Sequence, residues 1–229
     1  MGLLTLADFR DELRFVCGGI SATSPAWPVA RLDRRINASY LWCSMPNHYK
    51  HPELEVTEYL TLTANIAAYA PINTFYMLHS VSHVEQTLGT LTITGRRNKL
   101  DPVDMRDQAT IERTAQVPRL YSYWNNNIML TCVPDAASIG QVLEVRGYQQ
   151  PGTMTAVGEV TLLKAEWDEV IVVGAEWRMW ISLNEQDRAY EAKQNLGALV
   201  NEIADVQRLH AEEWGWQAGM NNPQHMRSG

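Results

Sequence analysis

The sequence predicts an α+β protein in which terminal helices form a bundle and an antiparallel β module is inserted between them. Two patterns carry this expectation. Apolar residues recur at helical spacing before Ser44 and again after Trp167, while between Leu54 and Gln149 they alternate with polar residues in short pieces bounded by turn chemistry. The composition is that of a folded chain, with 45% apolar and 20% charged residues over 229 positions, enough to bury a sizeable core.

The first helix is predicted from "TLADFRDELRFVC". Thr5 is placed to cap it and Asp8, three residues on, completes a capping box. Leu6, Phe9, Leu13 and Val16 form its inner face, and Gly18-Gly19 ends it. "SATSPAWP" reads as a loop. Pro28 suits the first turn of a second helix, whose inner face is Leu32, Ile36 and Tyr40 or Leu41 and which runs to about Ser44. "MPNHYKHP" breaks it. "LEVTEYLTLT" then alternates as a half-buried strand. "IAAYA", "TFYML", "HVEQTL", "LTIT", "RLYSYW", "IMLTCV" and "QVLEVRGYQ" follow as further strand pieces. Trp124-Asn125-Asn126-Asn127-Ile128 reads as a hairpin, because asparagine tolerates the left-handed backbone of a tight turn. "LDPVDMRDQA" is expected as a short helix and "QQPGTMTAVGE" as a loop. After Trp167 the pattern is helical again. Ala189, Ala192, Leu196, Leu199, Ile203, Val206 and His210 make one apolar stripe, with Asn184 as the cap before it. The expected segments are residues 1–50 and 161–211 as bundle helices, 51–160 as the β module and 212–229 as a mobile tail.

Several chemistries are excluded. A net charge of −7 argues against a dedicated nucleic-acid clamp, whose affinity needs cations against phosphate. Cys17, Cys43 and Cys132 are odd in number and far apart, giving neither a disulfide framework nor a paired metal site. The N-terminus has neither a basic leader region nor a long apolar run, so no signal peptide is expected, and no run approaches a membrane span. "VIVVGA" resembles the strand entering a nucleotide fold, but Gly174 stands alone and Glu176 would meet the phosphates, so no nucleotide site is expected. His79 and His83 lack an acidic partner for a zinc helix, and Cys43, His48 and His51 lack a fourth ligand. No catalytic residue, cofactor or metal is expected. "GRRNK" is read mainly as a solvated turn; its other reading makes Arg96, Arg97 and Lys99 a contact for phosphate or an acidic partner. Eight tryptophans against three phenylalanines lean towards assembly, since tryptophan is enriched where proteins meet. Trp177, Met179 and Trp180 point to different sides of one helix, so one intrachain core can hardly take all of them.

In this order the motifs resemble the head-to-tail adaptor (connector) proteins of tailed bacteriophages. "TLADFRDELRFVCGG" is similar to that family's opening helix. Leu32, Asp33, Arg34, Ile36, Asn37 and Tyr40 fill the pattern of its second helix. Pro118, Tyr121 and Pro134 fit its strand, turn and strand, and Gly174, Ala175, Asp187 and Ala189 fit its last two helices. The resemblance implies a non-enzymatic virion protein of the neck, made in the host cytoplasm. It implies a ring, typically dodecameric, beneath the portal protein, extending the DNA channel without sequence-specific binding and carrying the tail or its terminator and nozzle proteins. The helix geometry of Trp177 and Trp180 adds the expectation that they face a neighbouring subunit or the portal; by analogy with the family, Trp214 and Trp216 either anchor there as the tail orders on docking or close the bundle of their own chain. The competing reading is a β-sandwich binding module for a sugar or peptide, with helical flanks. Against it, the most aromatic and apolar helices lie outside the β part.

Overall fold

The structure, a computed structural model, describes residues 2–19, 21, 24, 27–46, 51–90, 95–104 and 114–213, with side chains as far as Val206. The chain is mixed α+β and divides into two compact units. One is Met1–Cys43 with Met154–Gly229; the other is Ser44–Thr153.

Four α-helices among the described residues belong to the first unit: α1 (Leu6–Val16), α2 (Val29–Cys43), α3 (Asp168–Ser182) and α4 (Gln186–Glu213). α3 packs against the other three. The capping box at Thr5 is present, with the Asp8 carboxylate accepting from the Thr5 amide and the Thr5 hydroxyl accepting from the Asp8 amide. At the other end of α1, Gly18 and Gly19 take φ of 101° and 70°. Their amides return to Phe15 and Arg14, closing a Schellman turn that a side chain would strain. The expected role of Asn184 is corrected. Its φ is 60°, and its amide and that of Glu185 bond back to Ile181 and Trp180. It therefore ends α3 rather than beginning α4, because an asparagine in left-handed backbone suits a helix C-terminus.

One face of α2 fastens this unit. Asp33 forms a bidentate pair with Arg10 of α1, at 2.6 and 2.9 Å. Asn37 binds the backbone of Met154 in both directions, at 2.9 and 2.7 Å. The Tyr40 hydroxyl accepts from the Leu162 amide at 3.0 Å. Asp168, buried at the start of α3, accepts from the Leu3 and Leu4 amides at 2.8 and 3.0 Å. Residues from Met154 onward thus lace the chain's beginning to its last two helices, and they fall with the helices although the sequence pattern reaches to residue 160 for the β module.

The second unit holds β1 (Glu55–Thr61), β2 (Ala68–Tyr69), β3 (Phe75–Thr87), β4 (Arg97–Lys99), β5 (Asp101–Pro102), β6 (Ala115–Gln116), β7 (Leu120–Trp124), β8 (Asn127–Leu130), β9 (Val133–Pro134) and β10 (Gln141–Gln149). One sheet has the order β1-β10-β3-β4 and is antiparallel throughout. A second has the order β2-β8-β7-β5. They share a core that includes Phe75, Val81, Leu143 and Val145 from the first sheet and Tyr69, Tyr121, Ile128 and Leu130 from the second. The Asn125-Asn126 turn has φ of 47° and 57°, the left-handed pair of a two-residue hairpin, and sets the β7–β8 register.

The module departs from the expected pattern in four places. β5 runs parallel to β7 and β6 parallel to β9, each over two residues, so it is not wholly antiparallel. "TFYML" and "HVEQTL" are one strand, β3, whose pairing with β10 is interrupted by register shifts. Those irregularities break the two-residue alternation and hide the continuity. "IMLTCV" is split between β8 and β9. "GRRNK" contributes strand β4, and "LDP" contributes β5 where a helix is expected. "LTIT" and residues 105–109 of that helical expectation lie outside the described residues.

Candidate functional site

α3 is apolar on more sides than one neighbour can cover. Val170, Ile171, Ala175 and Met179 are fully buried. A methyl group at Gly174 would collide with the Ser39 hydroxyl on α2, so the glycine sets how closely these helices approach. "VIVVGA" is thus helix interior and no strand entering a phosphate loop.

Trp180 and Trp177 line different cavities. Trp180 is 5% exposed. It packs edge-on to Trp27 at 6.0 Å, its Nε1 donates to Glu176 at 3.0 Å, and the Arg188 guanidinium lies 4.7 Å from its ring. Its own chain occupies it, so it offers little surface to a neighbour. The cavity beside it, of about 280 Å³, is lined by Val16, Cys17, Glu176, Arg188 and Glu191 among others. Trp177 is half-buried and opens onto a groove of about 260 Å³ lined by Trp42, Trp177, Lys193, Leu196, Gly197, Val200 and Asn201. Arg178 roofs the two indoles, 5.7 Å from the Trp42 ring and 5.1 Å from that of Trp177, while its Nη1 donates to the Gly174 carbonyl at 3.0 Å. Burial lowers the Arg178 pKa, and neighbouring Arg35 lowers it further. Arg35 is lowered in the same way, by burial first and then by Arg34 and Arg31, and its buried Nε has no hydrogen-bond partner among the described residues. The groove is therefore apolar with a cationic edge.

The other expected contact changes character. Arg97 donates through Nε to Glu144 at 3.0 Å, and Arg146 reaches the same carboxylate at 2.8 Å; Glu144 is 3% exposed. Arg97 is committed inside its own unit. Arg96 is exposed, 3.7 Å from Glu85, and Lys99 is exposed. Trp214 and Trp216 lie outside the described residues, as does His48. His79 is exposed on β3 and His83 is buried on the same strand, four residues on, a spacing of about 13 Å that no single metal bridges. No group of three His, Cys, Asp or Glu suited to a metal occurs among the described residues.

Two exposed apolar residues in the β unit escape sequence reasoning. Trp124, at the end of β7 beside the hairpin turn, is 63% exposed, and Ile72, in the loop before β3, is 94% exposed. The Tyr123 hydroxyl donates to Asn126 at 2.7 Å and accepts from the Phe75 amide at 3.3 Å, tying the hairpin to the start of β3. Glu58 holds the Ile72 and Asn73 amides. Both apolar tips thus stand on braced loops. The signal available in the sequence was a tryptophan directly before an Asn-Asn turn, where a side chain has few neighbours.

The thiols are structural. Burial pushes Cys17 and Cys43 up to about 12, Glu176 adding to the effect at Cys17, and burial also raises Cys132. Native protein at pH 8 is expected to leave a soluble disulfide reagent unreacted, and denatured protein to titrate all three cysteines, since only the thiolate attacks. Reaction in the native state within minutes would show that these sites open.

No helix among the described residues is long and apolar enough to cross a membrane. A family model described as SU10 adaptor protein matches residues 4–223. No curated protein matches the chain.

Proposed function

The chain belongs to the SU10 adaptor protein family, a bacteriophage family with a structural role, and from that premise we propose that it forms a ring beneath the portal of the filled capsid. The ring extends the DNA channel and presents the platform on which the tail assembles. The family match over nearly the whole chain is the observation that carries this reading. Two further features support it. An adaptor must bind on two sides, and each unit has its own exposed apolar feature: the Trp42–Trp177 groove in the helical unit, and Trp124 with Ile72 in the β unit. The acidic balance of the chain also suits a conduit, because dense phosphate contacts would hold passing DNA.

In this reading Trp177 faces a neighbouring subunit, and Trp214 and Trp216 anchor the chain's end to the portal or to a neighbour. Aromatic residues in an end segment that orders on binding fit such a role. Purified protein mixed with portal rings of the same phage is expected to co-elute with them and to appear by electron microscopy as an added ring. Deleting residues 214–229 is expected to leave the circular-dichroism spectrum and melting temperature nearly unchanged while abolishing attachment. Attachment by the truncated protein would remove the anchor, and failure of the full chain to bind portal would remove the adaptor reading.

A further inference from the structure

A strand at the edge of a sheet presents a row of backbone groups without partners. Most edges of the β unit are short: among the described residues β2, β5, β6 and β9 have two residues each and β4 has three. β1 is different. It ends the first sheet with seven residues, all paired to β10 without a register shift. Just beyond it, the Leu62 amide donates to the Gln141 carbonyl at 2.8 Å and the Leu62 carbonyl accepts from the Gly140 amide at 2.9 Å. By the alternation of an antiparallel ladder, Leu60, Glu58 and Val56 bond towards β10 as well. The amides and carbonyls of Thr57 and Tyr59 therefore point off the sheet, and these two amides have no partner among the described residues. Both residues are exposed, Tyr59 at 40%. The strand has no proline, lysine or bulge, devices that commonly protect an edge. An apolar residue stands beside it. The Glu58 carboxylate accepts from the Ile72 amide at 3.0 Å and from the Asn73 amide at 2.7 Å, which fixes the loop of Ile72, 94% exposed, against β1.

We infer that the open edge of β1 receives an extended, positively charged segment of a different protein as an added strand. The backbone groups of Thr57 and Tyr59 bind it, and its alternate side chains cover Tyr59 and Ile72. Unpaired backbone groups in a row select extended chain. Residues 52–61 carry Glu53, Glu55 and Glu58 and no cation, which selects lysine or arginine in the incoming segment. A second copy of this chain fits poorly. Among its described residues only β1 itself offers an open edge of matching length. Pairing two copies of β1 brings the same three glutamates from both chains to one edge, and like charges across strands destabilise. That contact is also two-fold, so it does not repeat around a ring. The β1 contact lies outside the ring reading, which supplies only the assembly in which the partner is met, the tailed virion.

Amide hydrogen exchange tests it, with free protein compared against tailed virions of the same phage. In free protein Val56, Glu58 and Leu60 are expected to be protected and Thr57 and Tyr59 open. In virions the Thr57 and Tyr59 amides are expected to exchange about 100-fold more slowly. Thr57→Pro removes an outward amide and no bond to β10, so the purified protein is expected to keep its circular-dichroism spectrum and melting temperature while the yield of tailed virions falls about tenfold. Thr57→Val keeps the amide and is expected to behave as wild type. Glu55→Lys, at an exposed position, is expected to lower the yield about tenfold as well. Should Thr57→Pro disturb the free protein, exchange in the wild type still decides. Both amides open in virions that contain the protein, or wild-type yield from folded Thr57→Pro, would overturn the β1 contact and leave the adaptor reading standing. Protection already present in oligomers of the purified chain alone would overturn it too, giving the edge to a second copy. If virions lack the protein, the adaptor reading falls and the β1 contact with it.

Discussion

Replacing Gly174 with valine is expected to destabilise the protein by about 3 kcal/mol, because the added carbons have no room between α2 and α3. The obstacle is the Ser39 hydroxyl, which faces Gly174 across the closest approach of these helices; the Ser39 Cβ lies 3.5 Å from where a methyl would sit, an ordinary contact. Alanine at 174 is therefore the more informative change. On helix propensity alone it should stabilise by about 1 kcal/mol. Here the clash with Ser39 is expected to outweigh that gain and leave a net loss of about 1–2 kcal/mol. Ser39→Ala/Gly174→Ala removes the obstructing oxygen and is expected to return to wild-type stability or better. Urea unfolding of the two single variants and the double variant gives the coupling directly. If Gly174→Ala and Ser39→Ala simply add, the helices are not held apart by that contact.

The second large effect is electrostatic. Arg97→Ala/Arg146→Ala strips both cations from Glu144, which is 3% exposed, and is expected to cost about 3–5 kcal/mol. The asymmetry of the triad makes this specific. The arginine side chains are 28% and 49% exposed and can turn to water, whereas the carboxylate cannot. Glu144→Gln should accordingly cost less, about 1–2 kcal/mol, since it removes the buried charge and keeps an acceptor. Denaturant midpoints of the two variants order them, and a glutamine variant less stable than the double arginine variant would contradict the account. The same result bears on function: Arg97, a candidate for phosphate contact from sequence, holds a sheet together.

Local signals were legible in the sequence because local chemistry determines them. The Thr5–Asp8 capping box, the Gly18-Gly19 stop, the Asn125-Asn126 hairpin and the helical nature of "VIVVGA" each depend on residues within a turn or two. What was not legible depends on distant partners. The parallel pairings of β5 and β6 cover two residues each, too few to imprint a pattern. Asn184 could cap either of two adjoining helices, and only its φ decides. The aromatic surface on α3 pointed to a second chain, yet Met179 and Trp180 are buried within their own. It could not reveal that Trp27, from a loop 153 residues earlier (180 − 27), covers Trp180 and leaves the groove to Trp177. Asp33, Asn37 and Tyr40 stand in the sequence as a motif, but their work as fasteners depends on Arg10, Met154 and Leu162, which are distant in the chain.

The Asn37–Met154 pairing has a consequence for how the protein comes to be made. It marks where the chain re-enters the helical unit after 110 residues spent in the other one (153 − 44 + 1). Closing a flexible loop of that length costs about 4 kcal/mol in chain entropy. A β unit that has already folded removes most of that disorder before the helices meet. Synthesis runs from the N-terminus, so the β unit is complete while α3 and α4 are still emerging from the ribosome. Until they arrive, α1 and α2 are a half-built bundle with Leu32 and Ile36 exposed. The nascent chain is thus most vulnerable to aggregation late, and the last helices to be translated are the ones that end it.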